Sequence, residues 1–311
     1  MMKPLLVILG PTAVGKTAVG IQLCRKIAGE IVSGDSMLVY REMDIGTAKP
    51  SRAEQQGIPH YMIDIVEPWE SYSVAEFQAR ATYHIEDIQA RGKIPVLLGG
   101  TGLYVRAIIE GYRFSPAGSN RALREQLQRE AEACGHDFLW QKLHACDPAT
   151  AARLHPNDLR RIIRAIEVYH ATGRPLSQQY EATHTTPYEL TVIGLNMPRE
   201  ILYQRINDRV DLMLEAGLEQ EVRRLLAKGC TTDLVAMNSL GYKQMAAYIQ
   251  GEYELAEAIC LMKRDTRHFA KRQLTLFKKI PGIIWYDVTQ YASVGRLVED
   301  IYNNVAGKIC I

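Results

Sequence analysis

The chain has 311 residues, 47% apolar and 23% charged, with a formal net charge of +2. That length suits one large α/β domain with an insertion, or two domains, and the charge excludes a uniformly basic nucleic-acid binder, so any such site is a local patch. The six cysteines show no C-x-x-C pair or metal-ligand spacing, and no apolar run reaches the ~18 residues of a membrane span, so we expect reduced thiols in a cytoplasmic protein.

Leu5–Leu9 is a short, wholly apolar run, as a buried parallel strand requires. Gly10-Pro11-Thr12-Ala13-Val14-Gly15-Lys16-Thr17 follows and fits Gly-x4-Gly-Lys-Thr, the P-loop pattern. Thr17–Lys26 then reads as a helix. The glycines let backbone N–H groups approach phosphate oxygens. The helix N-terminus adds about half a positive charge. Lys16 adds a full charge, and the Thr17 hydroxyl is placed to reach a magnesium ion. The stretch predicts a bound di- or triphosphate, with P–O and C–O cleavage both open.

Ile31–Ser33 reads as a second strand, with Asp35 just past its end. Three roles are open to this carboxylate: magnesium ligand, general base, or cap. Tyr61–Ile65 reads as a third strand. Ser73 is an N-cap with Glu76 as its capping-box partner, and the helix runs to Arg91-Gly92. Pro95–Leu98 is a fourth strand ending in Gly99-Gly100-Thr101-Gly102. Thr101 stands where many P-loop NTPases have a Walker-B acid; a plain Gly-rich turn is the alternative reading. The alternation predicts a doubly wound, mainly parallel α/β sheet with ligands outside the strands' carboxyl ends. That rule puts the P-loop, Asp35 and Thr101 along one edge.

From about 115 to 188 the pattern is all helical, an insertion domain in a core made of 1–114 and 189–311. Asp147-Pro148 opens one helix, and Leu159–Thr172, another, carries Arg160, Arg161 and Arg164. Thr191–Leu195 reads as a strand that rejoins the sheet. The helix Ile201–Ala216 carries Arg205 and Arg209, and the next carries Arg223 and Arg224; one of the four could clamp a phosphate, the alternative being ordinary surface arginines. Leu218–Ala227 is a further helix; a long one spans Tyr253–Phe277, with Phe269 and Phe277 expected to face the core. Ile283–Tyr286 is the last strand. The basic stretches at 160–164 and 263–279 are either solvated helix faces or contacts to a phosphate backbone.

The ordered series Gly10–Thr17, Ser33–Tyr40, Met43–Pro50, Gly99–Tyr104, Asn157–Val168, Leu240–Lys243 and Ala270–Thr275 resembles the bacterial tRNA dimethylallyltransferases, or tRNA isopentenyltransferases. The resemblance covers nearly the whole chain. It implies a P-loop NTPase-like α/β core with an all-helical insertion that holds tRNA. It implies transfer of a dimethylallyl group from dimethylallyl diphosphate to N6 of adenosine 37, beside the anticodon of tRNAs reading codons that start with U. Gly10, Pro11, Thr12, Ala13, Val14, Gly15, Lys16 and Thr17 would then hold the donor's diphosphate, with Thr17 on Mg2+. Lys16 and Arg209 would neutralise departing pyrophosphate, Asp35 would take the amine proton, and Thr101 would orient the amine or the diphosphate. The anticodon stem-loop would lie on Asp35, Ser36, Met37, Leu38 and Thr101. It would also touch Arg124, Arg160, Arg161, Ile162, Ile163 and Arg164 of the insertion, and Gly241, Tyr242, Lys243, Lys271, Arg272 and Gln273. The chain departs from the family at Leu276, where many members have Trp, and it lacks the zinc-finger pattern of the eukaryotic kind. Nothing in the sequence demands more than a monomer. A P-loop small-molecule or nucleoside kinase and an RNA-binding nucleotide switch are the competing readings.

Overall fold

A computed structural model describes residues 3–112, 114, 120–179 and 186–307. The chain divides into two compact units, Met1–Ile109 with Thr186–Ile311, and Glu110–Thr185.

The first unit opens with β1 (Lys3–Leu9), α1 (Lys16–Ile27), β2 (Gly29–Ser33), β3 (His60–Tyr61), α2 (Val74–Ala90), β4 (Ile94–Gly99) and α3 (Gly102–Ile109). The second unit is α4 (Arg121–Cys134), α5 (His136–Cys146), α6 (Pro148–Ala151), α7 (Leu159–Thr172) and α8 (Leu176–Gln179). The chain returns to the first unit with β5 (Tyr188–Asn196), α9 (Arg199–Glu215), α10 (Leu218–Ala227), α11 (Tyr242–Ile249), α12 (Leu255–Phe277), β6 (Ile284–Asp287) and α13 (Val294–Val305).

The six strands form one sheet in the order β3-β2-β4-β1-β5-β6, and all of the pairings are parallel. The two-residue period of β1 sends alternate side chains to opposite faces. Leu6 and Ile8 join Val19, Leu23 and Ile27 of α1 and Leu297, Val298 and Ile301 of α13. Leu5, Val7 and Leu9 join Phe77, Ala81 and Ile85 of α2 and Val105 and Ile108 of α3. Both faces are covered, which is why β1 reads as an unbroken apolar run. The chain leaves β1 for β2, and β4 fills the gap between them, so the carboxyl ends of β1, β2 and β4 deliver the P-loop, Asp35 and Thr101 side by side. A third core, built from Val39, Tyr40 and Met43 with Val210, Leu218, Val222, Tyr242 and Met262, joins the 37–50 segment to α9–α12.

The helical unit has its own core of Leu127, Leu139, Leu143, Ile162 and Ile166. Asp147 caps α6 by accepting from Thr150 N at 3.0 Å and also accepts from Ser177 N at 2.9 Å.

Several expectations need correction. The third strand is only His60–Tyr61, because Met62 and Asp64 take positive φ values of 66° and 55° and turn the chain. Met62 reaches the core through that turn and not through a pleat. β5 begins at Tyr188, inside the stretch assigned to the insertion. Phe277 is buried but Phe269 is only partly so and borders the cleft described below. Eight residues of helix rotate a side chain by about 80° beyond full turns, so the two rings do not share a face.

Candidate active site

The P-loop leaves β1 at Gly10 and enters α1 at Gly15, which offers no side chain to cap the helix. The amides of the first turn are therefore available to an anion. Lys16 folds over its own loop: Nζ donates to Gly10 O at 2.9 Å and to Pro11 O at 2.8 Å. Burial pulls its pKa down from 10.5 to about 8; the nearby carboxylate of Asp35 opposes the shift, and the Arg209 guanidinium adds to it. α12 braces the loop through a buried glutamine. Gln273 Oε1 accepts from Thr12 N at 2.9 Å, and its Nε2 donates to Gly100 O at 2.8 Å.

The turn after β2 is built against the turn after β4. Gly34 N donates to Leu98 O at 2.8 Å, and Thr101 N donates to Gly34 O at 3.3 Å. A Cβ on Gly99 would sit 2.5 Å from Gly34 O, so only glycine permits this approach. Thr101 Oγ1 accepts from Ser36 N at 3.0 Å and lies 3.2 Å from Ser36 Oγ as its donor. Asp35 Oδ1 accepts from Met37 N at 2.8 Å, closing an Asx-turn. The capping role open to Asp35 is therefore met within its own turn and not at a helix. Among the described residues its Oδ2 has no hydrogen-bond partner, and this oxygen is available for chemistry.

Two cavities meet at this turn. One of about 740 Å³ is lined by Gly15, Lys16, Thr17, Ser33, Gly100 and the 47–50 loop. The other, about 380 Å³, is lined by Ser36, Met37, Thr101, Val210, Met213 and Met262. Thr12, Asp35, Thr47, Arg209 and Phe269 border both. A third of about 190 Å³ shares Asn238, Ser239, Leu240 and Arg272 with the second and adds Lys243 and His268. A polar, phosphate-ready end thus leads past a carboxylate into a more apolar chamber and out to cationic side chains. Arg205 borders only the first cavity and is exposed, whereas Arg209 sits at the junction. Burial lowers the Arg209 pKa, and the Asp35 carboxylate works against that.

Leu38 borders the first cavity, while Ser36, Met37 and Gly241 border the second. Arg160, Arg161, Lys243, Lys271 and Arg272 are exposed. Four residues expected on the tRNA face are not surface contacts. Ile162 and Ile163 are 0% and 8% exposed and pack in the helical core, because the helical period turns them inward beside outward arginines. Tyr242 is fully buried, with its hydroxyl on Glu221. Gln273 is buried against the P-loop. Arg124 makes a two-point ion pair with the buried Glu167, at 2.8 Å for both bonds, and Arg164 Nη1 reaches the same carboxylate at 2.6 Å. Glu167 and Glu221 escape sequence reading; the one signal is that Glu167 follows Arg164 by a helical i,i+3 step.

Among the described residues no cluster of three or more His, Cys, Asp or Glu side chains forms a metal cage. The Thr17 hydroxyl on the first cavity's wall instead suits a hard cation that keeps several waters and takes phosphate oxygens as its other ligands.

The family model described as IPP transferase matches residues 38–280, and that described as isopentenyl transferase matches residues 3–67. A tRNA dimethylallyltransferase of Desulforudis audaxviator is 53% identical over 303 residues, covering 97% of each chain. The crystal structure of the Bacillus halodurans tRNA isopentenylpyrophosphate transferase is 43% identical, covers 99% of this chain and 97% of that one, and superposes with a TM-score of 0.75. A eukaryotic dimethylallyltransferase captured acting on tRNA is 32% identical, with a TM-score of 0.81 over 98% of this chain and 79% of that one. On sequence and on structure alike, the chain belongs to the IPP transferase family, the tRNA dimethylallyltransferases.

Proposed function

We propose that this chain transfers a dimethylallyl group from dimethylallyl diphosphate to N6 of adenosine 37 in the tRNA anticodon loop, releasing pyrophosphate. The observation that carries the reading is that a P-loop cavity and a second, more apolar cavity share Asp35 and Arg209. Membership of the IPP transferase family does not favour the alternative, a P-loop kinase.

In this reading the amides of Gly10–Thr17 hold the diphosphate. Lys16 turns from the Gly10 and Pro11 carbonyls onto it, and Arg209 reaches it from the junction. Thr17 would hold a Mg2+ ion, which would supply further positive charge beside the leaving group. The adenine leaves its stack to enter the second cavity, and Thr101 keeps the Asp35 turn rigid through Ser36. The N6 lone pair attacks C1 of the donor, the C1–O bond breaks, and its electron pair departs with pyrophosphate. Asp35 Oδ2 accepts the N6 proton. Charge grows on pyrophosphate where Lys16, Arg209 and the loop amides already point, so the protein does not reorganise during the step. The apolar walls at Met37, Val210 and Met213 suit a five-carbon tail. Arg160, Arg161 and Arg164 of the helical unit, with Lys271 and Arg272 of α12, contact RNA phosphates. The protein acts as a cytoplasmic monomer.

The test is to incubate the protein with dimethylallyl diphosphate, Mg2+ and an anticodon stem-loop carrying A37. The reading expects one C5 unit of added mass on the RNA, located at A37; unmodified RNA would overturn it.

A further inference from the structure

We infer that Glu221 is a positioning residue for the donor cavity, acting through the 43–50 loop; this rests on the reading of that cavity as the prenyl-diphosphate site. Glu221 lies on α10, is 1% exposed, and borders neither cavity. Its Oε2 accepts from Asp44 N at 3.1 Å and Ile45 N at 2.9 Å, and its Oε1 accepts from Gly46 N at 3.2 Å and from the Tyr242 hydroxyl. Consecutive amides converging on one anion form a nest, the device that elsewhere binds phosphate. Here the protein supplies the anion itself. The four donors use the roughly four acceptor positions of an ionised carboxylate, so a neutral amide cannot replace it without aiming an NH2 group at other donors.

The loop is fixed sterically at the same place. A Cβ on Gly46 would lie 2.4 Å from the Tyr242 ring and 3.0 Å from Leu218. The next residues, Thr47 to Pro50, wall the donor cavity, and Thr47 borders both cavities. The far end of the loop is held by Lys49, whose Nζ donates to Tyr40 O at 2.7 Å and to the Asp44 and Asp64 carboxylates at 2.7 and 2.5 Å. A buried anion receives the loop's amides at one end, and at the other the buried Lys49 side chain ties the loop back to Asp44 and across to Tyr40 and Asp64. The hydrophobic packing of α10 needs no charge at 221. The charge is directed at the segment that leads into the cavity wall.

The experiment compares wild type, Glu221→Gln, Tyr242→Phe and Val222→Ala. Val222→Ala removes packing from the same core while leaving the hydrogen bonds to the loop in place. Steady-state prenyl transfer, equilibrium binding of dimethylallyl diphosphate, binding of the anticodon stem-loop, and Tm are measured for each. Glu221→Gln is expected to raise the donor KM and Kd tenfold or more, with RNA affinity within twofold of wild type. Tyr242→Phe, which deletes one donor and keeps the ring on Gly46, is expected to raise them two- to fourfold, and it carries the test if Glu221→Gln does not fold. Val222→Ala is expected to lower Tm with donor KM and Kd unchanged. Donor affinity at the wild-type level in a folded Glu221→Gln or Tyr242→Phe overturns the inference, as does a rise in Val222→Ala that matches theirs. Absence of C5 transfer by wild type overturns the functional reading, and the donor-binding arm still decides the role of Glu221.

Discussion

In the proposed reaction, Asp35 and Lys16 are the two residues on which the chemistry turns. Asp35 spends one oxygen on its own backbone turn and presents the other to the cavity junction. A positioned base of this kind contributes on the order of 10²–10⁴-fold. Asp35→Ala is expected to reduce kcat by about that range, with RNA affinity preserved; parallel loss of RNA binding would assign Asp35 to recognition. Burial holds the Lys16 pKa at about 8, below its ordinary 10.5. A bound diphosphate favours the charged ammonium and raises that pKa. Between about pH 8 and 9 donor binding therefore takes up a proton, and affinity falls as pH rises through this range. Calorimetry in two buffers of different ionisation enthalpy measures the uptake, and Lys16→Arg is expected to abolish it. Arg209→Ala is expected to lower kcat/KM by about 10²–10³-fold, as loss of a charge stabiliser does, and Arg205→Ala by far less, since Arg205 borders only the outer cavity.

At the level of elements, strand–loop–helix order was legible where local chemistry is explicit. The Leu5–Leu9 run and the P-loop define β1 and α1, and Ser73 with Glu76 closes a complete capping box on α2. α3 is apolar almost all round, so it carries no helical period to read. α11 is short, whereas α13 is as long as α1 and carries its signals, an N-cap at Ser293 and apolar residues at Leu297, Val298, Ile301 and Val305, which the sequence reading passed over. Partners far apart in sequence were invisible: Glu221 meets backbone amides 175 to 177 residues earlier, and amides leave no trace in a side-chain pattern. The family resemblance sets Gln273 on the RNA face beside Lys271 and Arg272, yet its helical phase aims it at the P-loop. The sheet edge shows the same limit at Glu30, buried at 1% exposure and bonded to Arg91, Lys93 and Tyr61. The Arg91 guanidinium bonded to Glu30, helped by Lys93 and Tyr61, holds its pKa at about 2 against an ordinary 4.5. A folded pKa below the unfolded one stabilises the protein fully above pH 4.5, and the contribution is lost as pH falls from there toward 2. Glu30→Gln is expected to cost ~2–4 kcal/mol at neutral pH. Denaturant titrations at about pH 7 and pH 3 check this, with the gap to wild type narrowing at the lower pH.

On the scale of the molecule, a parallel sheet gathers three strand ends, and α9 and α12 close over them to leave cavities that meet at one carboxylate. In the proposed reaction the P-loop is a cradle for a leaving group, and the bond it helps to break is C–O. The most direct measurement uses dimethylallyl diphosphate labelled with oxygen-18 at the bridge between C1 and the first phosphorus. The account predicts that, as the RNA gains its C5 unit, the heavy label leaves entirely in pyrophosphate. Label retained on the five-carbon fragment, whether as free alcohol or on the RNA, would mean P–O cleavage and would contradict it.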